Sequence, residues 1–304
     1  MKRFLLCLTI LLSGWSAFGQ QDAMYSQYMF NPFAINPAYA GTRNSYSAVL
    51  LHRSQWVGIN DAPRTQSFAV HAPVTKYKIA WGLNVMNDRI GPTRNIMAGG
   101  TVAYHLPLGE STLSFGLRGG VVNTVLDRNV LDFKDETDPF NVGGSVSSLV
   151  PTFDFGMYYY KKKIFAGLSI NHLTRHEYNF DGFSNDDLFL RTHVMLNAGY
   201  VFEFNRKVMF KPSILAKFVE NAPPSVDVNA NFLLYQKLWL GISFRSTNSI
   251  IFLADFNITD YLRIGYAYDL NYTPLGNYSN GSHEVLIGFD FNIQKKQAES
   301  PRYL

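Results

Sequence analysis

The sequence predicts an all-β chain: a transmembrane antiparallel β-barrel of about 14 strands, preceded by a non-strand segment that is a candidate plug. Three observations lead there. Apolar and polar residues alternate one by one through runs of roughly ten residues, the length that carries a tilted strand across a bilayer. The connections between the runs are by turns very short and longer, as in outer-membrane barrels. The composition of the 304 residues is aromatic-rich at 15% and charge-poor at 16%, where ordinary soluble domains carry roughly 25% charge. A hydrophobic content of 47% excludes disorder, and a mean hydropathy near zero does not suit membrane helices, which need apolar runs of about 20 residues.

The elements follow in order. Residues 1–19 read as a signal peptide: Lys2 and Arg3 give the positive start, 4–12 the apolar core, and Ala17-Phe18-Gly19 the small residues before a cut. That core is shorter than the ~20 residues of a membrane anchor. Cys7, the one cysteine, leaves with this peptide, so the mature chain has no disulfide, thiolate catalysis or cysteine-ligated metal. Loss of Lys2 and Arg3 leaves 25 basic residues against 23 acidic ones, too balanced for a nucleic-acid partner. Residues 20–45 are an N-terminal plug or periplasmic segment, 46–293 the barrel, and 294–304 a C-terminal tail.

Strands are expected at 46–56, 64–73, 77–88, 95–107, 111–123, 150–160, 163–172, 190–204, 207–219, 225–235, 238–245, 249–258, 261–272 and 283–293. In 77–88, Tyr77, Ile79, Trp81, Leu83 and Val85 share one face, opposite Lys78, Ala80, Gly82 and Asn84. In 190–204, Leu190, Val194, Leu196, Tyr200, Phe202 and Phe204 oppose Arg191, His193, Asn197, Gly199 and Glu203. The short connections are 74–76, 108–110, 161–162, 205–206, 236–237 and 259–260; the longer ones are 57–63, 89–94, 124–149, 173–189, 220–224, 246–248 and 273–282. An even strand count puts both barrel ends on the short-turn, periplasmic side. A soluble β-sandwich alternates too, but its strands average only about 5–6 residues.

Glycines recur on the polar faces near strand centres: Gly82, Gly116, Gly156, Gly167, Gly199, Gly241, Gly265 and Gly288. A strand glycine often marks close approach by another backbone. Such a row suits either relief of crowding in a small lumen or a lumen occupied by the chain's own N-terminal segment. Two placements of that segment stay open, a plug and a periplasmic tether. Within it, Asn31-Pro32 and Asn36-Pro37 are paired turn formers. Phe30, Phe33 and Ile35 are apolar anchors, with Tyr39 beyond them. The candidate partner or plug contacts are therefore Tyr28, Phe30, Asn31, Pro32, Asn36, Pro37, Tyr39 and, outside the segment, Trp56.

Little in the sequence points to chemistry. His172, His176 and Glu177 have zinc-binding spacing only on a helix, and they fall where a strand ends. Asp127, Asp132, Asp135, Glu136 and Asp138 make one long loop acidic; Glu177, Asp181, Asp186 and Asp187 do the same for another. Their spacing does not match an EF-hand, so solvated charge is expected before bound Ca²⁺. Arg118, Asp154, Arg191, Glu203, Asp227, Arg245, Arg263 and Asp269 are expected to face a polar lumen, paired and hydrated or lining a channel. No Gly-x-Ser-x-Gly elbow appears. The reading is of a non-enzyme with no catalytic residue, cofactor or metal.

A more specific pattern sits at the N-terminus. Tyr25-Ser26-Gln27-Tyr28-Met29-Phe30-Asn31-Pro32 runs into Ile35-Asn36-Pro37-Ala38-Tyr39-Ala40-Gly41. His52-Arg53-Ser54-Gln55-Trp56-Val57-Gly58, Asn87-Asp88-Arg89-Ile90-Gly91-Pro92-Thr93 and Leu262-Arg263-Ile264-Gly265-Tyr266 follow. Together these resemble the PorP/SprF family of type IX secretion proteins of Bacteroidota, over essentially the whole mature chain. The resemblance implies a barrel in the cell outer membrane, within gliding or type IX secretion machinery. It implies export or surface anchoring of secreted adhesin-like proteins that bear a type B C-terminal sorting domain. Other type IX secretion components, including the periplasmic ring and motor, and outer-membrane lipid are the further partners it implies. The alternatives are a passive solute channel and a soluble periplasmic scaffold.

Overall fold

The computed structural model describes residues 23–43, 45–74, 77–131, 143–180, 183–220 and 222–292. The expected signal peptide and tail lie outside these residues, as do Asp132, Asp135, Glu136, Asp138 and Asp181 and the side chains of Asp186 and Asp187.

Strands β1 (Ser45–Ser54), β2 (Arg64–Val74), β3 (Ile79–Ile90), β4 (Thr93–Leu108), β5 (Ser111–Asp127), β6 (Ser145–Tyr160) and β7 (Ile164–Asn171) run as a meander. Next come a small hairpin, β8 (Glu177–Phe180) with β9 (Phe183–Phe189), and then β10 (His193–Tyr200), prolonged by β11 (Phe202–Asn205). Strands β12 (Val208–Val219), β13 (Ser225–Leu234), β14 (Leu238–Arg245), β15 (Ser249–Asn257), β16 (Leu262–Asn271) and β17 (Ser282–Asn292) complete the set. Every pairing is antiparallel; β10 pairs with both β7 and β12, and β1 pairs with β17. With β10 and β11 counted as one strand, the ring closes at fourteen, so the wall has no free edges of the kind that lipid cannot satisfy.

Alternation sets which residues meet lipid. Leu83, Val102, Leu117 and Phe153 lie outward and stay exposed, while their neighbours Gly82, Thr101, Arg118 and Asp154 turn inward. A one-residue slip would exchange the two sets, so the pattern itself fixes the register. Beside the short turns, Phe202, Phe204 and Phe232 stack around Phe210 with centroids 6.1, 6.5 and 4.6 Å away, an aromatic girdle at one interface. Glu110 and Lys161 pair at 2.8 Å across adjacent short turns, and that hydrogen bond holds the Glu110 carboxyl below its ordinary range.

Several local expectations need correction. The 89–94 connection is only a two-residue turn, because β3 and β4 pair out to Ile90 and Thr93 around Gly91, whose φ is +53°. The 173–189 loop contains the β8–β9 hairpin, whose Tyr178 packs against Val122, Val150 and Leu190. Leu190, expected on the lipid face, is buried there because the loop folds inward. Glu203 and Arg191 are not luminal ions. Glu203 is exposed near a short turn, 3.5 Å from Lys163, and Arg191 donates to the Glu220 carbonyl from a loop. Trp56, placed in the first strand by its pattern, lies just past β1 with φ +47°.

Candidate functional site

The main apolar core of the molecule lies inside the ring, around residues 23–43. Local chemistry shapes this segment. A turn closes as the Phe30 N–H donates to the Gln27 carbonyl and the Asn31 N–H to the Tyr28 carbonyl. Pro32, with its preset φ, starts a single helical turn, Pro32–Ile35. Asn36 ends it and caps the next turn, its side-chain oxygen accepting from the Ala38 N–H at 2.9 Å. The Asn36 amide also donates to the Met157 and Leu168 carbonyls, at 3.0 and 3.2 Å, so one side chain shapes the segment and ties it to β6 and β7.

Charged anchors hold both ends. Near the end of β1 that leads into the longer 55–63 loop, the Glu284 carboxylate accepts the backbone N–H groups of Ser26 and Gln27 at 2.8 and 2.7 Å. Arg53 donates to Ser26 Oγ at 2.6 Å and reaches Asp269 at 2.7 Å. Ser26 Oγ in turn donates to Asp269 at 2.7 Å, closing a buried four-residue network. Arg245, paired with Asp227 at 3.0 Å, donates to the Tyr25 carbonyl. At the opposite end of the lumen, Arg43 pairs with Asp290 at 3.1 Å, and Ser47 donates to the same carboxylate. Arg263 donates to the Phe30 carbonyl at 2.6 Å while facing Asp255 at 3.3 Å. Midway, Arg118 donates to the Phe33 carbonyl at 2.6 Å and faces Asp154 at 3.4 Å. Arg118, Arg245 and Arg263 spend hydrogen bonds on carbonyls of the segment as well as on carboxylates of the wall, so each joins the two; Arg53 does so through the Ser26 hydroxyl.

The segment therefore runs antiparallel to β1: Ser26 sits at the long-loop end and Arg43 at the short-turn end. Along the way its apolar side chains fill the ring. Tyr28, Met29, Phe30 and Ile35 pack with Val49, Leu51, Leu233, Trp239, Ile251 and Leu286; Phe33, Ala38 and Tyr39 pack with Ala80, Ala103, Tyr158 and Phe165. Tyr39 meets Tyr158 edge-on at 5.2 Å. Five of the eight glycines singled out above face this segment. A Cβ on Gly116 would meet the backbone of Pro37 and Ala38, and one on Gly156 would meet Asn36. Gly82, Gly167 and Gly265 face Phe33, Asn36 and Gln27, whereas Gly199, Gly241 and Gly288 make room for wall side chains.

Seven of the eight candidate contact residues thus lie together: Tyr28, Phe30, Asn31, Pro32, Asn36, Pro37 and Tyr39 are all buried in the lumen. Tyr28 accepts at its hydroxyl from the Asn229 amide at 2.6 Å. Trp56 is apart from them, just past β1, its backbone N–H donating to Ser282 Oγ at the start of β17. Sequence reasoning missed the apolar residues of the inner wall. Their signal was present, since Val49-Leu50-Leu51, Ile250-Ile251-Phe252-Leu253 and Val285-Leu286-Ile287 break strict alternation where the segment must be met. His172 is buried on Thr152 at 2.8 Å and 5.7 Å from the His193 ring, away from the wall's outer face. Among the described residues no group of three or more His, Cys, Asp and Glu is placed to hold a metal ion.

Comparison with known proteins fits this architecture. The toluene transporter TbuX of Ralstonia pickettii is 10% identical with a TM-score of 0.53, over 86% of this chain and 93% of its own. The monoaromatic hydrocarbon channel CymD is 11% identical with a TM-score of 0.51, over 92% and 96%. The Pseudomonas putida toluene transporter TodX is 10% identical with a TM-score of 0.50, over 89% and 95%. At such identities the likeness speaks for the barrel fold alone. No curated protein matches the chain. The model of the type IX secretion system membrane protein PorP/SprF matches residues 17–289. A closed fourteen-strand barrel matched over nearly its whole length by that model leaves one assignment: the chain belongs to the PorP/SprF family and is an outer-membrane component of type IX secretion.

Proposed function

We propose that this chain is a closed, non-enzymatic barrel that serves type IX secretion as an outer-membrane partner, supporting export or surface anchoring of sorting-domain cargo such as adhesins. The observation that carries the proposal is the filled lumen. A barrel whose interior is packed with its own residues 23–43, tied by the Arg43–Asp290 ion pair at one end and by hydrogen bonds to the buried Arg53, Asp269 and Glu284 at the other, is built to present surfaces rather than to pass solutes. In this reading the segment is a plug, and the partners are the cargo, other secretion components and the surrounding lipid.

The test is genetic and direct. Deleting the gene leaves one or more sorting-domain proteins retained or released to the medium, and the wild-type gene restores their display. Undiminished surface display of every sorting-domain protein in the deletion strain would end the proposal. The second reading is a solute channel, favoured by a fold shared with hydrocarbon transporters. It requires the plug to leave or shift, and steady conductance by the intact protein would favour it.

A further inference from the structure

Seven cations are buried among the described residues: Arg43, Arg53, Arg118, Lys211, Lys217, Arg245 and Arg263. Six of them lie within 3.4 Å of a carboxylate. Lys211 is the exception. Its side chain is inward on β12 in the short-turn half of the lumen, and the residue is 3% exposed. Its ammonium lies 5.2 Å from the Phe165 ring and 5.8 Å from the Trp239 ring. The charges that act on it most strongly are two further cations, Arg43 and Arg263. A charge buried so deeply needs compensation, and ring faces supply only part of it.

One further observation points to what supplies the rest. Beside Lys211 a small cavity of about 10 Å³ lies between the luminal segment and the wall, lined by Asn197, Ser213, Phe165 and Ile35. That space holds roughly one water-sized body. The side-chain donors that line it are the Lys211 ammonium, the Asn197 amide and the Ser213 hydroxyl.

We propose that this cavity is a binding site for a single small monovalent anion of halide class, held by Lys211 with help from Asn197 and Ser213. The ion neutralises Lys211 and bridges β12 to the luminal segment. The site is independent of any cargo, so its failure would leave the proposed secretion role standing.

Bromide is the probe. Crystals of the full mature chain in bromide should give an anomalous peak in this cavity, within about 3.5 Å of Lys211 Nζ. A cavity with no peak, or peaks only at the protein surface, overturns the site. In detergent, chloride should raise the unfolding temperature saturably, by about 3 °C over gluconate at equal ionic strength, since gluconate is too large for the cavity. The near-isosteric Lys211→Met should fold and lose that dependence. A dependence that survives Lys211→Met, or none in the wild type, also overturns it.

Discussion

The residues that decide this molecule are the charged ones inside it. Arg53 faces Asp269 at 2.7 Å and Glu284 at 3.4 Å, all three essentially without solvent. Removing one partner of a buried pair leaves uncompensated charge and costs about 3–5 kcal/mol, several times the worth of a surface pair. Arg53→Ala should therefore lower the urea midpoint of the detergent-solubilised protein strongly. Glu110→Gln, which breaks an exposed pair at a short turn, should leave the midpoint where it is. Equal effects would mean that the lumen is wetter than this packing implies. Glu284→Gln tests the same anchor from the other side. It keeps the shape but removes the charge that accepts two backbone N–H groups, so the amino end of the segment should become sensitive to protease.

At the scale of elements, the segment's direction has a measurable consequence. Because Ser26 lies at the long-loop end and Arg43 at the short-turn end, Ala23 sits by the outer mouth. Residues 23–292 contain no cysteine, so thiols introduced there report cleanly. Ala23→Cys should react on intact cells with a maleimide too large for porins, while Thr42→Cys, 4% exposed near the inner end, should not. The reverse labelling would contradict the threading described above. Much of the wall was legible in the sequence because lipid imposes a period of two and strands near ten residues; Ser225–Leu234 and Leu238–Arg245 fall within one residue of their expected bounds. The β8–β9 hairpin was not legible, since a loop that folds back is set by contacts with Val122 and Val150, distant in sequence. The luminal segment was half legible. Its Asn-Pro turns and the facing glycines announced close packing, but only the partners of Asn36, Ser26 and Arg43 say on which residues it closes.

For the whole molecule, closure by residues 23–43 separates a partner-presenting barrel from a pore. Gly116 and Gly156 are where the segment's backbone and Asn36 come closest to the wall. Phenylalanine at both positions has no space while the segment is seated, so the variant should release it yet keep the outer strands paired. Such a barrel should still migrate faster on SDS gels before boiling than after. The decisive measurement is single-channel conductance in planar bilayers of the intact mature chain beside Gly116→Phe/Gly156→Phe. Intact protein should be electrically silent and the double variant should show discrete open steps. Steady open steps from the intact protein, equal to those of the variant, would contradict a closed lumen and return the chain to the class of solute channels.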